Sequence, residues 1–350
     1  MRQITLSTKD YPTEAKALIH LQEHVLRINS SKVFRAHIVP TLGLAIDRFV
    51  KEEQIEEIVK TKPGEAAIEG LAFTTATGYR YFFNKHIRPK WGNTPLEELK
   101  PLAVTEWLKS LPLAPKTRGH IRGLLHLLLE RAMLWGLMDV QRNPIELVVV
   151  KGVSRRQKRP YPLTPAQFQQ LIAKLDDPCR TIVITAMCTG LRISEILALR
   201  IESIDLSNSV MLVRQGVVHG RVGKVKTEAS QDEVPLDSAF VAVLKAWMGD
   251  RTEGLLFPSP KTGLCYHAAP LQQKYLLPAG KELGIPRLGF HAFRHAYRAL
   301  LDETGAPIGV QQKLMRHANV ATTMNIYGSS TIAAKRNANS KVVQMVLTAA

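Results

Sequence analysis

The sequence predicts a mostly α protein with a small antiparallel β-sheet in its C-terminal domain. Apolar residues recur at helical spacing over most of the chain, and the period changes only between residues 202 and 236. There, IESIDL, SVMLVRQGVV, RVGKVKT and DEVPL are short, β-branched-rich runs separated by Asn, Gly and Ser. A chain of 350 residues is long enough for two domains and a smaller appendage, at about 100–200 residues per domain.

Residues 1–65 are read as an N-terminal helical extension. YPTEAKALIHLQEHVLRIN (11–29) puts Leu18, Leu21, Val25 and Ile28 on one stripe, and residues 42–60 read as a second helix rich in Glu and Lys. KPGEAAIEG (62–70) breaks the pattern. Residues 66–150 read as a compact helical bundle. FTTATGYRYFFNKHI carries Tyr79, Phe82 and Phe83, PLAVTEWLKSL starts with Pro at a helix start, and residues 114–137 form a long helix with Gly136 near its end. KGVSRRQKRPYP (151–162) is a linker with Lys151, Arg155, Arg156, Lys158 and Arg159 and no acid. Beyond it, Thr164 is the expected N-cap of a helix whose first residue is Pro165. Helices are expected again at 237–248, 267–283 and through 291–327, within a domain spanning 163–335, and residues 336–350 form a tail.

The net charge is +17 and unevenly placed, with +5 on residues 1–150 and +12 on 151–350. Such an excess points to a polyanionic partner. Lying between two domains, the linker bases Arg155, Arg156, Lys158 and Arg159 are candidates to run along DNA phosphates; a plain solvated loop is the alternative. No run of about 18 apolar residues is present, so no transmembrane helix is expected. The N-terminus shows no apolar signal region, and Cys179, Cys188 and Cys265 form no zinc spacing. Reduced, mostly buried thiols in a cytoplasmic protein are the expectation.

Three short segments carry chemistry. In TGLRISEILALR, Gly190 allows a tight entry turn, Arg192 follows it, and Glu195 lies one helical turn on. A guanidinium there can hold a phosphate through two bonds, although this pair alone reads as an ordinary surface ion pair. In GFHAFRHAYRALL, His291 and Arg294 share a helix face, suited to holding a phosphate and moving a proton. In MRHANVATTMNIYG, His317 precedes Tyr327 by ten residues, and Gly328, Ser329 and Ser330 follow.

In this order, with a lysine-bearing hairpin between the first two, the segments resemble the tyrosine recombinase, or phage integrase, family. The resemblance is carried by residues 160–330, LMRHANVATTMNIYG above all, and more weakly by 73–147. It implies a helical core-binding, SAM-like domain over 66–150 and a mixed α+β catalytic domain over 163–335. It leaves residues 1–65 as an extension or a truncated arm-binding region. It further implies that Arg192 and Arg294 clamp the scissile phosphate, that His291 assists proton transfer, and that His317 is a further phosphate contact. Lys226, with Lys224 as the alternative, protonates the leaving 5′ oxygen, Tyr327 attacks the phosphate, and Glu195 braces the site. The chain departs from the family pattern twice. Met315-Arg316 stands where Leu-Gly is common, and the His317–Tyr327 interval is one residue longer.

The implied activity is site-specific DNA strand cleavage and transfer through a 3′-phosphotyrosine, without cofactor or metal, by the integrase of a prophage or other mobile element. The implied partners are double-stranded attachment sites, three further copies in a homotetramer on synapsed DNA, and a directionality factor. Alternatives are a Xer-like chromosome or plasmid dimer resolvase, a type IB topoisomerase, and an inactive DNA-binding remnant. The residue types suit the chemistry. Arginines and histidines place fixed positive donors where charge develops on phosphorus. A tyrosine of pKa ~10 needs such a positive site to ionise.

Overall fold

The computed structural model describes residues 7, 9, 13–28, 39–65, 68–153, 163–224, 233–285 and 288–320. Two compact units emerge, Met1–Val59 with Gly70–Arg155, and Lys60–Glu69 with Arg156–Ala350. Tyr327, Lys226, Arg155, Arg156, Lys158 and Arg159 lie outside the described residues.

The first unit is helical: α1 (Glu14–Ile28), α2 (Leu42–Glu52), α3 (Ile55–Lys60), α4 (Phe73–Phe82), α5 (Arg88–Trp91), α6 (Pro101–Ser110) and α7 (Pro115–Leu134). The helix expected over 42–60 is two, because Phe49 and Ile55, six residues apart, cannot share a face of one straight helix. A left-handed Gln54 (φ 49°) re-phases the chain so that Ile55 and Ile58 are also buried. Between α4 and α5 the backbone widens into a π-helical turn, Phe83–Ile87, in which Arg88 N–H donates to the Phe83 carbonyl. Pro89, which has no N–H to offer, follows directly.

α7 buries Ile121, Leu124, Leu125, Leu128, Leu129 and Ala132, a helical stripe. α2, which buries Leu42, Ala45, Ile46 and Phe49, packs on it. The Phe49 ring lies 5.6 Å from Phe83 and 6.4 Å from Trp135. α2 and α3 therefore lie in one compact unit with the bundle. Their apolar face needs cover, and the bundle supplies it. Asn143 caps the short turn after α7, accepting from Ile145 N–H at 3.0 Å, while Arg122 Nε donates to the Val148 carbonyl at 2.7 Å.

The second unit contains α8 (Pro165–Lys174), α9 (Cys179–Thr189), α10 (Ile193–Ile196), α11 (Ser238–Met248), α12 (Ala268–Leu271), α13 (Leu277–Glu282), α14 (Phe290–Glu303) and α15 (Ile308–Met315). Thr164 caps α8 as expected, in a reciprocal box with Gln167. Among the described residues the β region is two sheets instead of one. β1 (Ile204–Asp205), β2 (Val210–Leu212) and β5 (Glu233–Pro235) pair antiparallel in the order β1-β2-β5. β3 (Gln215–Val218) and β4 (Arg221–Lys224) form a separate hairpin. Its two-residue turn has both φ values positive, His219 at 51° and Gly220 at 74°, which matches the twist of the flanking strands. SVMLVRQGVV thus spans two strands, broken at Val213-Arg214.

The core of this unit gathers around α9, buried on nearly all sides. Thr185 and Thr189 survive there because each hydroxyl donates to the carbonyl four residues back, at 2.8 and 2.6 Å. α14 packs on α9, and the Phe293 ring meets Phe168 at 6.2 Å. Of the three thiols, only Cys179 is buried; Cys265 is half-buried and Cys188 exposed, and all three are free. Burial pushes the Cys179 thiol up to about 12. Among the described residues, no helix is long and apolar enough to cross a membrane.

Candidate active site

The site begins where α9 stops. Gly190 takes the left-handed conformation (φ 64°) that ends the helix. A Cβ there would fall 2.3 Å from Tyr297 Cδ1, so a side chain is excluded by space as well as by backbone. The turn delivers buried Leu191 and then Arg192, whose extended backbone (φ −73°, ψ 145°) opens α10.

Glu195, on the first turn of α10, reaches back to Arg192. Its Oε2 accepts from the Arg192 backbone N–H at 2.8 Å and its Oε1 from Arg192 Nη1 at 2.9 Å. A simple surface pair is ruled out, since the Glu195 side chain is 5% exposed while that of Arg192 is 40% exposed. A buried carboxylate thus holds an outward-facing guanidinium in a fixed orientation, the arrangement needed to present donors to an anion.

Arg294 comes from α14 and is buried. Its Nη1 donates to the Gly190 carbonyl and its Nη2 to the Met315 carbonyl. These carbonyls terminate α9 and α15, the negative ends of both helix dipoles. Two of the guanidinium's five N–H groups are therefore committed to joining the helix ends. Burial, and then the nearby Arg192, lower its pKa to about 9.

α15 ends in a Schellman turn. The Arg316 N–H donates to the Lys313 carbonyl at 2.9 Å and the His317 N–H to the Gln312 carbonyl at 3.1 Å. Gln312 Nε2 also donates to the His317 carbonyl at 3.0 Å, so the backbone of His317 is held on both sides. Arg316 occupies the left-handed position (φ 49°, ψ 49°). Its guanidinium turns inward, and Nη2 donates to Glu195 Oε2 at 2.5 Å. On α14, the exposed ring of His291 stands 4.4 Å from that of His295, edge to face.

The site is strongly positive. Burial, then the charges of Arg294, Arg192, Arg298 and His291, drive the His317 pKa from 6.5 to about 4. His317 thus feels the charge of both arginines and of His291. The imidazole is neutral at pH 7 and offers one donor and one acceptor. Between about 4 and 6.5 the unfolded chain binds a proton that the folded chain does not. Stability from this residue is therefore complete above 6.5 and declines as pH falls toward 4. His317→Asn is expected to flatten the dependence of Tm on pH in that window. An unchanged slope, measured by circular dichroism on both proteins, would refute a buried neutral imidazole.

Two known sequence families match the chain. The N-terminal SAM-like domain of phage integrases covers residues 66–111, and the phage integrase family itself covers 162–333, the segment that contains every residue of this cluster. The chain belongs to the phage integrase family of tyrosine recombinases. This makes it a tyrosine-type site-specific recombinase. A relative named as a prophage phiRv2 integrase in Mycobacterium tuberculosis is 26% identical over 268 residues, covering 73% of this chain and 70% of that one. The tyrosine recombinase XerA of Pyrococcus furiosus is 24% identical, covering 73% and 84%. Among solved structures, the Tn1549 transposon integrase with a circular intermediate DNA superposes with a TM-score of 0.70 at 19% identity, over 86% of this chain and 99% of that one. A lambda integrase tetramer bound to a Holliday junction gives 0.61 at 16% identity, over 91% and 90%. At such identities these structures show a shared fold.

In the recombinase, then, Arg192, Glu195, His291, Arg294 and His317 converge from three separate stretches. Lys226 and Tyr327 lie outside the described residues. The alternative lysine, Lys224, ends β4 and pairs with Gln215. Arg316 was absent from the expected site, and so was His295. The one signal for Arg316 was its departure from the family pattern, a charged residue where glycine is usual.

Proposed function

We propose that this recombinase is the integrase of a prophage or another mobile element, with Tyr327 as its nucleophile. The observation that carries the site assignment is that Arg192 and Arg294 both lie by the buried carboxylate of Glu195, with His317, ten residues before Tyr327, among the same arginines. Arg192 and the uncommitted N–H groups of Arg294 hold the scissile phosphate, with His291 and His317 adding donors as negative charge builds on its oxygens. The Tyr327 oxygen attacks phosphorus and passes its proton to His291, the residue that assists proton transfer in this reading. The bond from phosphorus to the 5′ oxygen breaks, and Lys226, or Lys224 in its place, supplies the proton to the departing 5′-hydroxyl. The phosphotyrosine keeps the bond energy, so a 5′-hydroxyl from another strand reverses the step without an added energy source. The linker bases Arg155, Arg156, Lys158 and Arg159 contact DNA phosphates, and salt weakens binding steeply. Four copies on two synapsed attachment sites, aided by a directionality factor, complete the reading. The tetramer formed by lambda integrase supports the first of these, and the prophage relative supports the mobile-element role.

Covalent trapping tests it. Wild-type protein and Tyr327→Phe are incubated in EDTA with supercoiled plasmid carrying the DNA that flanks this gene, then stopped with SDS. Protein-linked DNA from the wild type alone is the expected result. Linkage that survives in the Phe variant names the wrong nucleophile. Binding without linkage in either protein favours an inactive remnant. Relaxation of plasmid without a site favours a topoisomerase, and exchange at a chromosome-resolution site favours the Xer-like alternative.

A further inference from the structure

We propose that Arg316 is a positioning residue for strand cleavage, acting through Glu195 to hold Arg192 in place. This rests on the reading of Arg192 as a phosphate clamp.

Four observations lead to it. Arg316 sits at the left-handed C-terminal position of α15 (φ 49°), where glycine has no steric penalty and arginine does. Its side chain is 1% exposed, although arginine is among the residues least often buried. Its Nη2 meets Glu195 Oε2 at 2.5 Å across 121 residues of sequence. That same Oε2 accepts the Arg192 backbone N–H, and the other oxygen of the carboxylate accepts Arg192 Nη1.

The geometry divides the work. One carboxylate receives three donors, two from Arg192 in front and one from Arg316 behind. A carboxylate with donors only from Arg192 can rotate with that side chain. Anchored from behind by a buried guanidinium, it becomes a fixed base against which the half-exposed Arg192 is oriented. The anchor also joins two ends of the site. Arg316 precedes His317 directly, so the bond that fixes Glu195 sets His317 relative to Arg192. Arg316 is shielded from solvent, with its side chain 1% exposed. Its effect on phosphate passes through the carboxylate.

The charges facing Glu195 are Arg192 at the start of α10, Arg294 from α14 and Arg316 after α15. Burial alone would raise the Glu195 pKa, but Arg316, then Arg192, hold it below the usual carboxylate value. Loss of Arg316 therefore makes the brace easier to protonate.

The test uses full-length Arg316→Gly and Arg316→Lys beside the wild type. Glycine suits the left-handed backbone, so a purely structural role predicts that Arg316→Gly cleaves at the wild-type rate, or slows only where it begins to unfold. Positioning predicts a different pattern. Single-turnover covalent linkage to the flanking-DNA plasmid falls at least tenfold at temperatures well below Tm. The acid limb of its pH profile moves to higher pH, and Arg316→Lys, which keeps the charge, recovers part of the rate. The Arg192 Nε–Hε resonance, sharp in the wild type, broadens in Arg316→Gly. This last readout needs no DNA and stands apart from the choice of nucleophile. Wild-type rate, pH profile and Arg192 resonance in Arg316→Gly would overturn the proposal. Should the glycine variant not fold, Arg316→Gln, which loses the charge, takes its place, and an unchanged rate and resonance there overturn the proposal as well. Linkage in the wild type that resists Tyr327→Phe, with the Arg192 resonance still sensitive to Arg316, would fault the nucleophile and leave the positioning intact.

Discussion

Replacing Glu195 with Ala is expected to lower stability by about 3–5 kcal/mol, the cost of breaking a buried ion pair from one side. Glu195 and Arg316 are 5% and 1% exposed in their side chains, so water cannot take over when the carboxylate is removed. The variant leaves the Arg316 guanidinium buried near Arg294 without the carboxylate to which it donates. It also deletes the acceptor of the Arg192 backbone N–H, which starts α10. For a domain of this size, that corresponds to a fall in Tm of about 6–20 °C. Glu195→Gln keeps the shape and should cost less, since a neutral amide still accepts hydrogen bonds. Thermal unfolding followed by circular dichroism decides the matter. A Tm within about 2 °C of wild type in Glu195→Ala, less than 1 kcal/mol on the same relation, would mean that Arg316 finds water or another partner. The stabilisation has a pH signature. Because the folded pKa of Glu195 lies below 4.5, its contribution is complete above 4.5 and lost as pH falls through the folded value.

Arg192→Lys has the opposite profile, a small effect on folding and a large one on chemistry. Arg192 is 40% exposed, so its replacement disturbs little packing. Its planar fork uses one edge against Glu195 and turns the rest outward. An ammonium is a point charge that cannot serve a carboxylate and a phosphate in two fixed directions at once. Loss of one preorganised donor typically costs about 10²–10³ in rate, and the same is expected for single-turnover covalent linkage, with Tm unchanged. A rate within about tenfold of wild type, under 1.4 kcal/mol of transition-state stabilisation, would show that Arg192 is not the principal phosphate ligand.

Much of this molecule is legible in local sequence. Thr164-Pro165 starts α8, Gly136 follows α7 and Gly190 closes α9, because caps and left-handed turns are set by residues within one helical turn of each other. The proposed catalytic stretches stand out in the sequence for a related reason. Phosphate chemistry admits few residue types, and Arg192, His291, Arg294, His317 and Tyr327 occur in one order along the chain. The errors are of another kind. Residues 42–60 read as one helix because charge-rich periodicity does not reveal a re-phasing at Gln54. That α2 and α3 share a compact unit with the bundle was not legible, because an apolar face shows that a helix is covered, but not by what. A single sheet was expected because β propensity marks strands, while pairing partners are chosen by contacts distant in sequence.

The same limit separates the two halves of the active site. Residue spacing determines that Glu195 faces Arg192, three positions away on one short helix. No spacing could reveal that the other side of that carboxylate is taken by Arg316, 121 positions on, or that Arg294 lies buried between the ends of α9 and α15. A helical period says which side of a segment leaves water. Which charge meets it there is decided only when the helices pack, because the cost of burying one charge is met by whichever opposite charge the fold brings within bonding distance.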